Sequence, residues 1–195
     1  MYTKALPVLA FFRLSAAYVI PDTSIGNRQA AACFIIGDTV LPQEVADVAA
    51  ALAPVVTCDP TQTTLEGVPD VISQNIYFSA NDFSQSQSSP LQFALDTFAT
   101  ADPLADTDLA KFQALLDVYT ATEAGVRSVG GNVNGIKVPK FFLSMQVQRI
   151  QTAQGNPPVA AGQQVDHLRD KVTKNAAAED KALLDQVVQL ATVLA

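Results

Sequence analysis

The sequence predicts a mainly α fold: a helical bundle of five to six amphipathic helices with a short strand-like element near the N-terminus. Three observations carry this expectation. Apolar residues recur at three- and four-residue spacing through the C-terminal half. Capping residues and prolines stand where these stripes begin, and glycine or proline where several of them end. Of the 195 residues, 49% are hydrophobic and only 16% charged, which supplies a core and excludes an intrinsically disordered chain.

Residues 1–17 read as a secretory signal peptide. Lys4 gives a positive start, Ala5 to Phe12 an apolar run interrupted afterwards by Arg13, and Ser15, Ala16 and Ala17 a small-residue cleavage region. The alternative is a buried N-terminal strand or helix. The run is too short to span a bilayer, so no transmembrane anchor is expected. Residues 18–32 show no sustained period and read as a leader or arm, leaving 33–195 as a single helical domain. Cys33 to Ile36 is a short apolar run closed by Gly37 and Asp38, more strand than helix. A helix is expected from Pro42, with Val45, Val48, Ala49 and Leu52 on one face and Pro54 as its stop.

Cys33 and Cys58 flank that helix. An even cysteine count and a secretory leader favour one disulfide, against the alternative of two buried thiols. From about 59 to 89 the chain becomes a polar surface excursion with one short helix or strand, 71–78 being its apolar island and 84–89 (SQSQSS) a low-complexity connector. Helices resume at Ser89 and Pro90, a cap followed by a first-turn proline, with Leu91, Ala94, Leu95 and Phe98 as the stripe. Asp106 to Asp108 open a longer helix carrying Leu109, Phe112, Leu116 and Tyr119 and ending at Gly130. A third is expected from Pro139, through Phe142, Met145 and Ile150, to Gly155. Two more should cover about 159–174 and 177–194.

Chemistry is excluded more readily than assigned. Twelve Lys and Arg against nineteen Asp and Glu give a net charge of −7, the wrong sign for a nucleic-acid partner. His167 is the only histidine, and its charged neighbours Asp166, Arg169 and Asp170 suit a solvated helix face. No Gly-x-Ser-x-Gly elbow accompanies it. With four glutamates in the chain and Gln164 three residues before His167, a di-iron site lacks its ligands. Asp102, Asp106 and Asp108 lack the glycine and final glutamate of an EF-hand and read as helix-capping groups. The glycines and asparagines of 130–135 predict a tight turn or a short hairpin. Lys137 and Lys140 follow it, but Pro139 and the absence of Walker spacing argue against a nucleotide loop. No metal and no cofactor are expected.

The remaining candidates are aromatic: Phe98, Phe112, Tyr119, Phe141 and Phe142. Successive helical residues point about 100° apart, so adjacent Phe141 and Phe142 cannot share one narrow stripe, and one of them is expected to line a cavity or contact surface. Ordinary core packing is the competing reading.

The stretches 119–131 (YTATEAGVRSVGG), 138–143 (VPKFFL) and 161–169 (AGQQVDHLR) resemble small secreted proteins of filamentous fungi. The resemblance runs from about Cys33 onward. It implies secretion and a helical fold, and carries over no catalytic residue. The expectation is therefore a secreted, non-catalytic helical protein that binds an apolar small molecule or a hydrophobic surface. The alternative is a self-associating structural or cell-wall protein. A carboxylate-based activity around Asp82 or Asp102 to Asp108 stands third.

Overall fold

The computed structural model describes residues 32–195. The signal peptide expected at 1–17 and nearly all of the 18–32 leader lie outside the described residues. The order is α1 (Gln43–Leu52), β1 (Thr57–Thr63), β2 (Pro69–Ser73), β3 (Ile76–Tyr77), α2 (Pro90–Thr97), α3 (Leu109–Ser128), α4 (Asn134–Ala153), α5 (Val165–Asn175) and α6 (Lys181–Thr192), with short 3-10 turns between several of them. The protein is mainly α. Among the described residues, six helices accompany one small antiparallel sheet of order β1-β2-β3.

Two expectations about strands are corrected. Cys33 to Ile36 forms a turn rather than a strand. Its backbone is occupied elsewhere: the amides of Ile36 and Gly37 donate to Ser128 Oγ at 3.2 and 3.1 Å, and the Thr39 amide donates to the Ser128 carbonyl at 2.9 Å. Phe34 is driven into the core, fully buried, with its carbonyl oxygen against Gly125. The strands occur instead within the segment read as a polar excursion. Cys58 pairs with Val71 and Ile72 with Tyr77. Gln74 and Asn75, at φ 48° and 65°, form the two-residue turn between β2 and β3, where positive φ matches the twist of a hairpin. β2 sends Val71 into the core and lies on α3. β1 contains Pro60 and is mostly exposed, which suits an edge strand.

The cysteines are bonded. Cys33 Sγ and Cys58 Sγ close a loop of 25-residue separation that contains α1, so the disulfide ties the N-terminal turn to β1.

Helices α2 and α3 begin as their sequences require. Ser89 Oγ accepts from the Gln92 amide with Pro90 in the first turn, and Asp108 Oδ1 accepts from the Lys111 amide at 3.1 Å. α4 starts five residues before Pro139, at Asn134, whose amide donates to the Asn132 side chain at 2.9 Å. Pro139 is thus inside a helix, and the turn expected over 130–135 ends at Val133. α5 begins at Val165, later than expected, after a 3-10 turn at Ala161–Gln163. From residue 90 onward every regular element is helical.

α4 is the central element. It packs on α2, α3 and α5, and α5 in turn carries α6. Its buried residues include Ile136, Val138, Phe142, Leu143, Met145, Val147 and Ile150. No helix among the described residues is long and apolar enough to cross a membrane.

Candidate functional site

α4 presents Phe141 and Phe142 in different directions, and each lines a different cleft. The first cleft, about 620 Å³, lies between α2, α4 and α6. Phe142 and Gln146 form its floor, both buried, while Leu95, Ala99, Leu190 and Val193 form apolar walls. Asp96, Asp185 and Gln189 belong to its polar lining. This volume falls in the range of small-molecule sites; seven of its thirteen lining residues are polar, although most of the surface they present is apolar.

Beneath that floor lies an unusual group. Arg149 is 1% exposed and has no carboxylate partner among the described residues. Its Nε and Nη2 donate to the Val193 carbonyl at 3.1 and 3.0 Å, and Nη1 donates to Gln146 Oε1. Gln146 Nε2 then donates to the Phe98 carbonyl at 2.9 Å. The chain Phe98–Gln146–Arg149–Val193 connects the ends of α2 and α6 through α4, so it fixes two walls of the cleft relative to its floor. Burial lowers the Arg149 guanidinium to about 10, since a charge away from water is disfavoured.

The second cleft, about 360 Å³, lies between α1, α3, α4 and α5. Phe141 is half-buried in it, beside Val45 and Val48 of α1. Arg127, Lys137, Lys140 and Lys171 all line it. Glu123, 4% exposed, accepts from Arg127 Nε and Nη2 at 2.9 and 2.6 Å and pairs with Lys140 through its other oxygen.

The other aromatic candidates do not reach either cleft. Phe98 and Tyr119 meet edge to face at 5.7 Å between ring centroids, and Tyr119 meets Phe78 at 5.0 Å, all three buried. Phe112 is 4% exposed and belongs to the same core. Tyr119 donates its hydroxyl to the Asn81 carbonyl at 2.6 Å. Burial and then the Asp82 charge push its phenol well above the ordinary range.

The carboxylates near β2 and β3 are engaged with local backbone. Asp82 Oδ1 accepts from the Ser84 amide at 2.9 Å, and Asp70, 1% exposed, accepts from the amide and hydroxyl of Ser79. His167 is exposed on α5. Among the described residues, no group of three or more His, Cys, Asp or Glu is placed to hold a metal.

Sequence reasoning placed Phe141 and Phe142 but missed Gln146, Arg149 and the basic cluster. Lys137, Lys140 and Phe141 share a helical face by their three- and four-residue spacing, which was a readable signal. Arg127 and Lys171 arrive from other helices, and their convergence requires the tertiary fold.

No curated protein and no solved structure matches the chain. One family does, over residues 35–195, nearly the whole described region, and it is described as a domain of unknown function, DUF7143. The chain belongs to this DUF7143 family.

Proposed function

We propose that this is a secreted, non-catalytic helical-bundle protein that holds an apolar small molecule in the cleft between α2, α4 and α6. The observation that carries the reading is that cleft: about 620 Å³, apolar on its walls, with Phe142 at its base. The Gln146–Arg149 bonds to the two flanking helix ends support it, because a preformed cavity binds without first ordering its walls. The disulfide supports secretion, since such bonds persist in oxidising compartments. The carboxylates at Asp70 and Asp82 bind neighbouring amides, which favours a structural role for them over a catalytic one.

The test uses N-phenyl-1-naphthylamine, a neutral apolar fluorophore. It should bind at one site per chain. Ala99→Trp places a large side chain in the cleft from an exposed helix end, so it should abolish that binding while far-ultraviolet circular dichroism stays unchanged. Equal binding by the variant overturns the reading.

Self-association is the second reading, favoured by the exposed Val188 on α6 and Val193 and Leu194 just after it. Sedimentation showing a concentration-dependent dimer, without probe binding, would put it first.

A further inference from the structure

We propose that the α1–α3–α4–α5 cleft is a second ligand site, one that takes a small organic carboxylate with an apolar body. It goes beyond the neutral ligand assigned to the other cleft and stands on different residues.

Charge is the first observation. Residues 32–195 hold nine basic and eighteen acidic side chains, yet four of the nine, Arg127, Lys137, Lys140 and Lys171, line this one cleft with only two acids, Glu44 and Glu123. The cleft is net positive, while the rest of residues 32–195 carries five basic against sixteen acidic side chains. Glu123 is already held by Arg127 and Lys140. Among the described residues, Lys137 and Lys171 have no carboxylate within salt-bridge distance, and Glu44 has no cation within it.

The second observation is where the ammonium groups stand. Lys140 Nζ lies 4.5 Å and Lys171 Nζ 5.7 Å from the centre of the Phe141 ring. A phenyl face attracts a cation, but two like charges beside one ring repel each other. Glu123 already compensates Lys140, so an anion in the cleft pairs with the uncompensated Lys137 and Lys171 and gains charge-assisted hydrogen bonds.

Shape selects the rest of the ligand. Val45, Val48 and Phe141 offer apolar surface next to the cations, and Val48 is 44% exposed. About 360 Å³ admits one or two rings or a short chain. A bare inorganic anion would leave this wall wet, and a neutral apolar molecule would leave the lysines unpaired. A carboxylate on an apolar body satisfies both.

The probe is 2-naphthoate, with 2-naphthamide as its neutral isostere, titrated into the full chain and followed by two-dimensional NMR. The acid should shift the resonances of Val48, Lys140 and Phe141, and the amide should bind about tenfold more weakly. The double substitution Lys137→Met and Lys171→Met removes neither the Glu123 pairs nor a core side chain. It should weaken the acid about tenfold and leave circular dichroism unchanged. Raising the salt concentration should weaken the acid and not the amide. The proposal is overturned if acid and amide bind alike, if the double variant binds like the parent, or if the shifts fall on Leu95 and Leu190. Ala99→Trp, which blocks the other cleft, should leave naphthoate binding intact, so the two sites fail independently.

Discussion

Replacing Glu123 by Gln removes a carboxylate that is 4% exposed and holds two cations from two helices. Arg127 reaches it within α3, and Lys140 reaches it from α4, so the residue joins the two longest helices of the fold. Glu123→Gln keeps the shape and one carbonyl acceptor but removes the charge and turns an amide toward a cation. At the effective dielectric of a protein site, each contact is worth up to about 4 kcal/mol of Coulomb energy before desolvation is subtracted. Breaking buried pairs costs about 3–5 kcal/mol. Arg127 and Lys140 keep 25% and 17% of their side chains in water, and this solvent recovers part of the loss. The expected cost is therefore about 2–3 kcal/mol, a large share of the roughly 5–15 kcal/mol of a whole domain. Urea denaturation reads it as a midpoint about 1 M lower at unchanged slope. Asp185→Asn is the control, because its pair with Lys181 is exposed on both sides and should be worth less than about 0.5 kcal/mol. If Glu123→Gln moves the midpoint no further than Asp185→Asn, the argument that this ion triad sets the α3–α4 contact is wrong.

Reduction of the Cys33–Cys58 bond should add two hydrogens to the intact mass and cost about 3.5 kcal/mol, from the entropy of releasing a loop of 25-residue separation; native-state labelling of either thiol without reductant would contradict it. Gly125→Ala places a Cβ 2.5 Å from the Phe34 carbonyl and 2.8 Å from the Val68 methyls, and should cost about 3 kcal/mol, a fall in Tm of about 6–12 °C. Asp117 is raised above the ordinary carboxyl value by burial, with the Ser73 hydroxyl opposing. A carboxyl raised on folding holds its proton more tightly in the native state, so its contribution to stability is greatest at low pH and declines as pH rises through the folded value. The stability of Asp117→Asn relative to the parent should therefore increase from pH 3 to pH 7; a constant difference in urea midpoints would refute it.

Helices were legible because each carries its own evidence. Ser89 and Pro90, or Asp108 followed by Leu109 and Phe112, specify a start and a buried face within one turn. The sheet was not. β1 reads TCDPTQT, with a proline and no apolar alternation, and becomes a strand because β2 beside it is held on α3. The Gln74–Asn75 turn offered only one residue of the usual hairpin pair. Cys33 to Ile36 has a strand's composition, but Ser128, more than ninety residues away, accepts its amides. In α4, Pro139 looked like a start, while the helix begins earlier, at Asn134, whose amide donates to the Asn132 side chain. The candidate site divides along the same line. Two adjacent phenylalanines on one helix face different surroundings by helical geometry alone, and that was readable at Phe141 and Phe142. The buried Arg149 was not, because its role depends on the Val193 carbonyl, which only the return of α6 brings within reach.

The most direct test of ligand binding is native mass spectrometry of the purified protein, followed by organic extraction. The expected result is a single apolar molecule per chain, of a size suited to a cleft of about 620 Å³, released by extraction and absent from Ala99→Trp. A bare chain mass, or whole multiples of it with nothing extracted, contradicts it.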